Sequence, residues 1–155
     1  MGTEKLKFKL ELDSTHWDKP PIAEILIGDK SHFKQEITKP TIIEFEHTCE
    51  ENKEYSLTIL RSGKNNNQTV LKDSKIIKDQ LLHIKSIDID EISIGSLVYE
   101  GVYKPEYPKL WATQQAEAGN KLPETFKNVT GMGYNGTWTF TFTSPFYMWL
   151  LENLY

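Results

Sequence analysis

Between residues 64 and 79 the chain reads KNNNQTVLKDSKIIKD, a polar passage whose carboxylates and carboxamides are the side chains best suited to hold a metal. Hard cations such as calcium take oxygen ligands from Asp, Asn and backbone carbonyls, and loops supply these readily. Asn65, Asn67, Asp73 and Asp79 are the candidate ligands and calcium the candidate cofactor. Their spacing is not that of an EF-hand, and an ordinary solvated loop is the competing reading. A second group is aromatic: Trp17, Tyr103, Tyr107, Trp111 and Tyr134 all fall in stretches expected to be loops. Rings with a polar tip serve sugar stacking and protein anchoring alike, and they also pin a loop to its own fold.

No catalytic grouping stands beside these candidates. His16, His32, His47 and His83 have no metal-ligand spacing, and no serine occupies a nucleophile-elbow context. Glu44 and Glu46 share a strand face, but glycoside hydrolysis needs two carboxyls flanking one bond, so a solvated face is the simpler reading. Cys49 is the sole cysteine, which rules out an intrachain disulfide and a Cys-based zinc site. The chain is therefore expected not to be an enzyme. A net charge of -4 and a pI near 5.6 give no basic stripe, which argues against nucleic acid as the main partner. No run approaches the roughly 20 apolar residues of a membrane span. The N-terminus, MGTEKLKFKL, alternates charged and apolar residues instead of forming the apolar core of a signal peptide, so synthesis in a cytoplasm is expected. The sequons at Asn67, Asn128 and Asn135 read as coincidences of an Asn- and Thr-rich chain.

The elements that must position these residues are mostly strands. Leu6, Phe8, Leu10 and Leu12 alternate with Lys5, Lys7, Lys9 and Glu11, the period-two pattern of a strand buried on one side. Shorter alternations recur at Ile25 and Ile27, at Phe33 to Ile37, at Ile43 and Phe45, and at Tyr55, Leu57 and Ile59. Turn-formers separate them at Lys19-Pro20-Pro21, Gly28-Asp29-Lys30, Lys39-Pro40 and Glu51-Asn52-Lys53. Leu82 and Ile84 lie on one parity and Ile87 and Ile89 on the other, which predicts a β-bulge near Lys85-Ser86; strand resumes over Ile92 to Tyr99. Trp138, Phe140 and Phe142 alternate with threonines in the last strand. The 155 residues are expected to form one all-β domain, a jelly-roll-like two-sheet antiparallel sandwich.

Two segments depart from the strand rhythm. Lys104 to Asn135 carries Pro105, Pro108, Pro123 and three glycines, and reads as a long loop insertion with at most a helical turn over Leu122 to Lys127. Ser144-Pro145 reads as an N-cap and first helical position, followed by a short helix from Phe146 to about Asn153. Phe146, Tyr147, Leu150, Leu151 and Leu154 make its apolar face, while Met148, Trp149 and Tyr155 lie off that face. A helix apolar nearly all round is covered either by its own core or by a partner, so all eight are candidate interface residues.

The run from Asp79 through Leu81-Leu82-His83-Ile84 to Asp90, with Ile25-Leu26-Ile27-Gly28-Asp29 and Tyr55-Ser56-Leu57-Thr58-Ile59 before it, resembles the calcium-dependent xylan-binding carbohydrate-binding modules. The likeness covers about the first 100 residues, leaving 101–155 for the loop, last strand and helix. It implies calcium at Asp79 and its preceding loop, with the ion coordinating sugar hydroxyls. The chain departs from that family where Asn65-Asn66-Asn67 replaces an Asn-Asp-aromatic-Gly arrangement. Asn135-Gly136-Thr137-Trp138 and the segment from Ser144 to Asn153 are similar to the C-terminal extension of module-like domains in tailed-phage virion proteins. That resemblance implies a bacteriophage structural or accessory protein, located in the virion and bound to other virion subunits or to itself. The second functional expectation is a stand-alone glycan-binding module using Trp17, Trp111 and a calcium at Asp79.

Overall fold

The computed structural model describes residues 2–64, 70–73, 75–94, 101–107, 109–127 and 129–154. Strand β1 (Thr3–Thr15) buries Leu6, Phe8, Leu10 and Leu12 as the alternation requires. It lies between β4 (Thr41–Glu50) and β8 (Leu81–Ile89), with β9 (Ile92–Ser93) and β12 (Gly131–Met132) added along β8. The second sheet runs in the order β11 (Phe126–Lys127), β10 (Val102–Pro105), β13 (Gly136–Thr143), β5 (Glu54–Ser62), β2 (Ile22–Ile27) and β3 (Lys30–Glu36). Every pairing in both sheets is antiparallel. Side chains from the two inner faces form one buried cluster, in which Phe8 of the first sheet approaches Phe142 of the second at 6.2 Å between ring centres. The molecule is a β-sandwich.

The bulge expected in β8 is present. Glu11 pairs with Ser86 but Leu12 pairs with Ile84, leaving Lys85 as the extra residue, exposed with Ser86 while Leu82, Ile84, Ile87 and Ile89 all stay inside. The turns at Gly28 and Asn52 close the β2–β3 and β4–β5 hairpins, both residues having positive φ. Only the first part of the strand expected over Ile92 to Tyr99 lies among the described residues, as β9.

The excursion after Lys104 carries more regular structure than a bare loop. It contains helix α1 (Lys109–Glu117), β11 and β12, and no helical turn forms at Leu122 to Lys127. The helix ends in a Schellman arrangement: Gly119, at φ 81°, donates to Ala116 O, and Asn120 N donates to Gln115 O. Within 101–155 the last strand is central: β13 pairs along its whole length with β5 in the middle of a sheet.

Helix α2 (Phe146–Leu154) forms where expected, but with a different cap and a different inner face. Ser144 is buried, and its hydroxyl donates to Glu4 Oε2, which also accepts from Phe146 N at 2.7 Å. The carboxylate of β1 therefore caps the helix in place of the Ser144 hydroxyl. Phe146 and Leu150 are buried and Trp149 stands edge-on to Phe140, so these three face the sandwich, and Phe146 and Leu150 are core and not interface. Tyr147, Met148 and Leu151 point outward at 58%, 55% and 39% exposure. The Leu154 side chain and Tyr155 lie outside the described residues.

Candidate functional site

Strand register places several chain ends together at one pole of the sandwich. Gly136, at the start of β13, pairs with Arg61 near the end of β5 and with Pro105 at the end of β10. On the other sheet, Thr15 at the end of β1 pairs with Leu81 at the start of β8, and Met132 pairs with Leu82. A side chain on Gly136 would collide with Lys104 O, its Cβ 2.2 Å away, so only glycine admits this approach of β10 and β13.

A buried arginine ties these ends together. Arg61 occupies the inward parity of Tyr55, Leu57 and Ile59 in β5 and is fully enclosed. Its Nη2 donates to Gln80 O at 2.6 Å, its Nη1 to Asn135 Oδ1 at 2.8 Å and its Nε to Met132 O at 3.2 Å. Burial pulls its pKa down to about 10, which leaves it protonated at neutral pH. Asn135 Oδ1 also accepts from Lys64 N at 3.0 Å, and Asn135 Nδ2 donates to Lys64 O at 3.0 Å. The Asn135 sequon side chain is thereby committed inside the structure.

On this base stand three rings. Tyr107, Trp111 and Tyr134 are half-buried and mutually in contact, with centroid separations of 5.8 Å for Tyr107–Trp111, 5.0 Å for Tyr107–Tyr134 and 5.7 Å for Trp111–Tyr134. Tyr103 is not a fourth contact ring: it lies in β10, only 3% exposed. Its hydroxyl donates to Tyr134 O and accepts from Tyr134 N at 2.8 Å, so it fixes the backbone that carries the Tyr134 ring. Burial pushes the Tyr103 hydroxyl up to about 12, keeping it a donor. Trp17 is 44% exposed on the segment joining β1 to β2 at the same pole, where Lys19 O accepts from Gln80 Nε2 at 2.8 Å. Trp111 belongs to α1 and not to a loop.

Of the expected metal ligands, the two that are described, Asp73 and Asp79, do not come together. Asp73 sits at the tip of the hairpin of β6 (Val70–Lys72) and β7 (Lys75–Lys78), whereas Asp79 follows its base, roughly 10 Å or more away at strand rise. Asn65 and Asn67 lie outside the described residues. Asp79 Oδ1 accepts from Lys64 Nζ at 3.0 Å and from Gln80 N at 2.8 Å. Among the described residues no three His, Cys, Asp or Glu side chains come together.

His32 Nε2 and His47 Nδ1 meet at 2.9 Å between β3 and β4, edge strands of the two different sheets. An open groove of about 430 Å³ runs along α1, lined by Ala112, Ala116, Gly119, Asn120, Lys121 and Leu122. It carries no ring and one charge, so the aromatic trio offers much more to a polar ligand.

Compared with known proteins, the chain matches no family model and no curated protein sequence. Its fold does match solved structures. The carbohydrate-binding module vCBM60 in complex with galactobiose superposes with a TM-score of 0.50 at 7% identity, covering 86% of this chain and 96% of that one. A second vCBM60 structure, described in terms of a circular permutation linking two families of calcium-dependent carbohydrate-binding modules, also gives 0.50 at 7% identity, covering 87% and 89%. The fold is carbohydrate-binding-module-like. In this carbohydrate-binding-module-like fold, calcium is the group to test against the residues present. The described residues fit it poorly: the Asp79 carboxylate already holds an ammonium, and the neighbouring buried acceptor Gln80 Oε1 is a single neutral oxygen.

Proposed function

We propose that this chain is a non-catalytic glycan-binding module whose contact surface is the trio Tyr107, Trp111 and Tyr134. The observation that carries this reading is the convergence of three half-exposed rings within 6 Å at one pole, held by a buried hydrogen-bonded frame. Sugar rings present apolar C–H faces that stack on aromatic planes, while a rigid frame lowers the ordering cost of binding. Trp17, exposed at the same pole, is a further candidate contact ring. The test is an array of oligosaccharides including galactobiose and xylan fragments. Trp111→Ala is expected to weaken the strongest signal at least about tenfold, close to 1.4 kcal/mol. An array with no signal for the unaltered chain would sink the proposal.

A second reading concerns attachment. Tyr147, Met148 and Leu151 form an outward apolar face on α2. α2 lies at the opposite pole, where Ser144 bonds Lys53 O and Asn52 N. We propose that this face docks on other virion subunits or on a second copy of the chain, which would locate the module in a phage particle. Replacing the three side chains by serine should then abolish association without unfolding the chain; an unchanged assembly would count against it.

A further inference from the structure

Lys64 follows β5 and carries its ammonium into a seat made by two other segments. Nζ lies 3.0 Å from Asp79 Oδ1 and 2.5 Å from Gly133 O, and 5.1 Å from the centre of the Tyr134 ring. The Lys64 and Asp79 side chains are only 12% and 17% exposed. The Lys64 peptide is itself gripped on both sides by the Asn135 carboxamide. A carboxylate oxygen and a backbone carbonyl oxygen are also what a divalent hard cation takes from loops. An ammonium satisfies the same oxygens through hydrogen bonds, and adds attraction to the face of an aromatic ring. Its positive charge at the Asp79 carboxylate repels a second cation from that oxygen.

We infer that Lys64 is a tethered cation that joins the Asp79 and Gly133 segments as a bound metal would, and that it positions Tyr134 for ligand contact without any divalent ion. This rests on the glycan-binding reading for its second half only. The chain then departs from the calcium dependence stated for the two module families to which its structural neighbour is linked. Lys64 acts through Tyr134, and its three partners leave it little direct reach to a sugar.

The experiment uses the full chain in two arms. In the first, melting temperature is followed on adding calcium alone and on adding EDTA. No shift in either is expected for the unaltered chain, and a rise with calcium would overturn the inference. In the second, the galactobiose and xylan array is read in calcium and in EDTA. Equal signals are expected, with Lys64→Met losing at least tenfold and Lys64→Arg recovering most of the signal. Binding that needs calcium, or Lys64→Met binding like the unaltered chain, would overturn it. If Lys64→Met does not fold, the calcium arm and Lys64→Arg still decide. An array silent in both buffers sinks the glycan reading alone, because the melting arm tests the tethered cation by itself.

Discussion

Arg61 shows how one side chain can set a site without touching a ligand. Its planar fork serves Gln80 O, Met132 O and Asn135 Oδ1 at once, a geometry that a lysine ammonium on a flexible stem does not reproduce. Arg61→Lys is therefore expected to cost about 2–4 kcal/mol, read from urea unfolding, because buried acceptors lose their donors. Its partners are 19, 71 and 74 residues away, which is why the sequence alone does not reveal the network. A signal was nonetheless there: Arg61 is the sole arginine among 18 cationic residues, on the inward parity of a strand. The histidine pair carries a prediction of its own. Burial lowers the pKa of His32 and His47, with Lys30 adding repulsion to both and His47 adding repulsion to His32. Unfolded histidines, near 6.5, then bind more protons than folded ones, so stability is complete above about pH 6.5 and falls as the pH drops below it. His83 is shifted the same way and contributes to the same slope. Melting temperature measured from pH 7.5 downward should decline, and less steeply in His32→Phe, which keeps a ring stacked on Phe45.

Strands with clean alternation were legible because one buried face imposes a period that turns then punctuate. β1, β13 and even the extra residue at Lys85 follow from parity alone. α1 was not legible: KLWATQQAE is made of helix-forming residues but shows no apolar stripe, and the prolines around it suggest a loop. α2 was legible in extent and not in facing. Phe146, Trp149 and Leu150 fall within about 100° of arc on a helix, and Tyr147, Leu151 and Met148 fall opposite; either arc is apolar enough to be the core, and only the sandwich decides. Its cap was hidden because the capping carboxylate comes from the other end of the chain. An anion at a helix N-terminus satisfies a free N–H and the macrodipole together. Glu4→Ala is expected to cost about 1–2 kcal/mol in urea unfolding. Ser144→Ala should cost less, since Glu4 still accepts from Phe146 N. Equal losses would return the cap to Ser144.

At the scale of the molecule the aromatic trio and the exposed face of α2 occupy opposite poles, joined by β13, whose eight residues span about 25 Å. A module that binds with one pole and attaches with the other needs these two surfaces to be energetically independent, and separation of this size without shared side chains gives that independence. Removing α2 outright is a poor test of attachment, because Phe146 and Leu150 belong to the core and their loss costs about 1.5–3 kcal/mol each. Deletion of 146–155 should lower the melting temperature by many degrees and confuse lost assembly with lost fold. The triple variant Tyr147→Ser, Met148→Ser, Leu151→Ser changes the exposed side of α2 and keeps Phe146, Trp149 and Leu150 against the core, so its melting temperature should fall far less than that of the deletion. Its array signal should be unchanged while self-association in light scattering, or incorporation into particles, is lost. A fall in array signal in that variant, with the fold intact, would show that the poles are coupled and that the trio and α2 serve one surface.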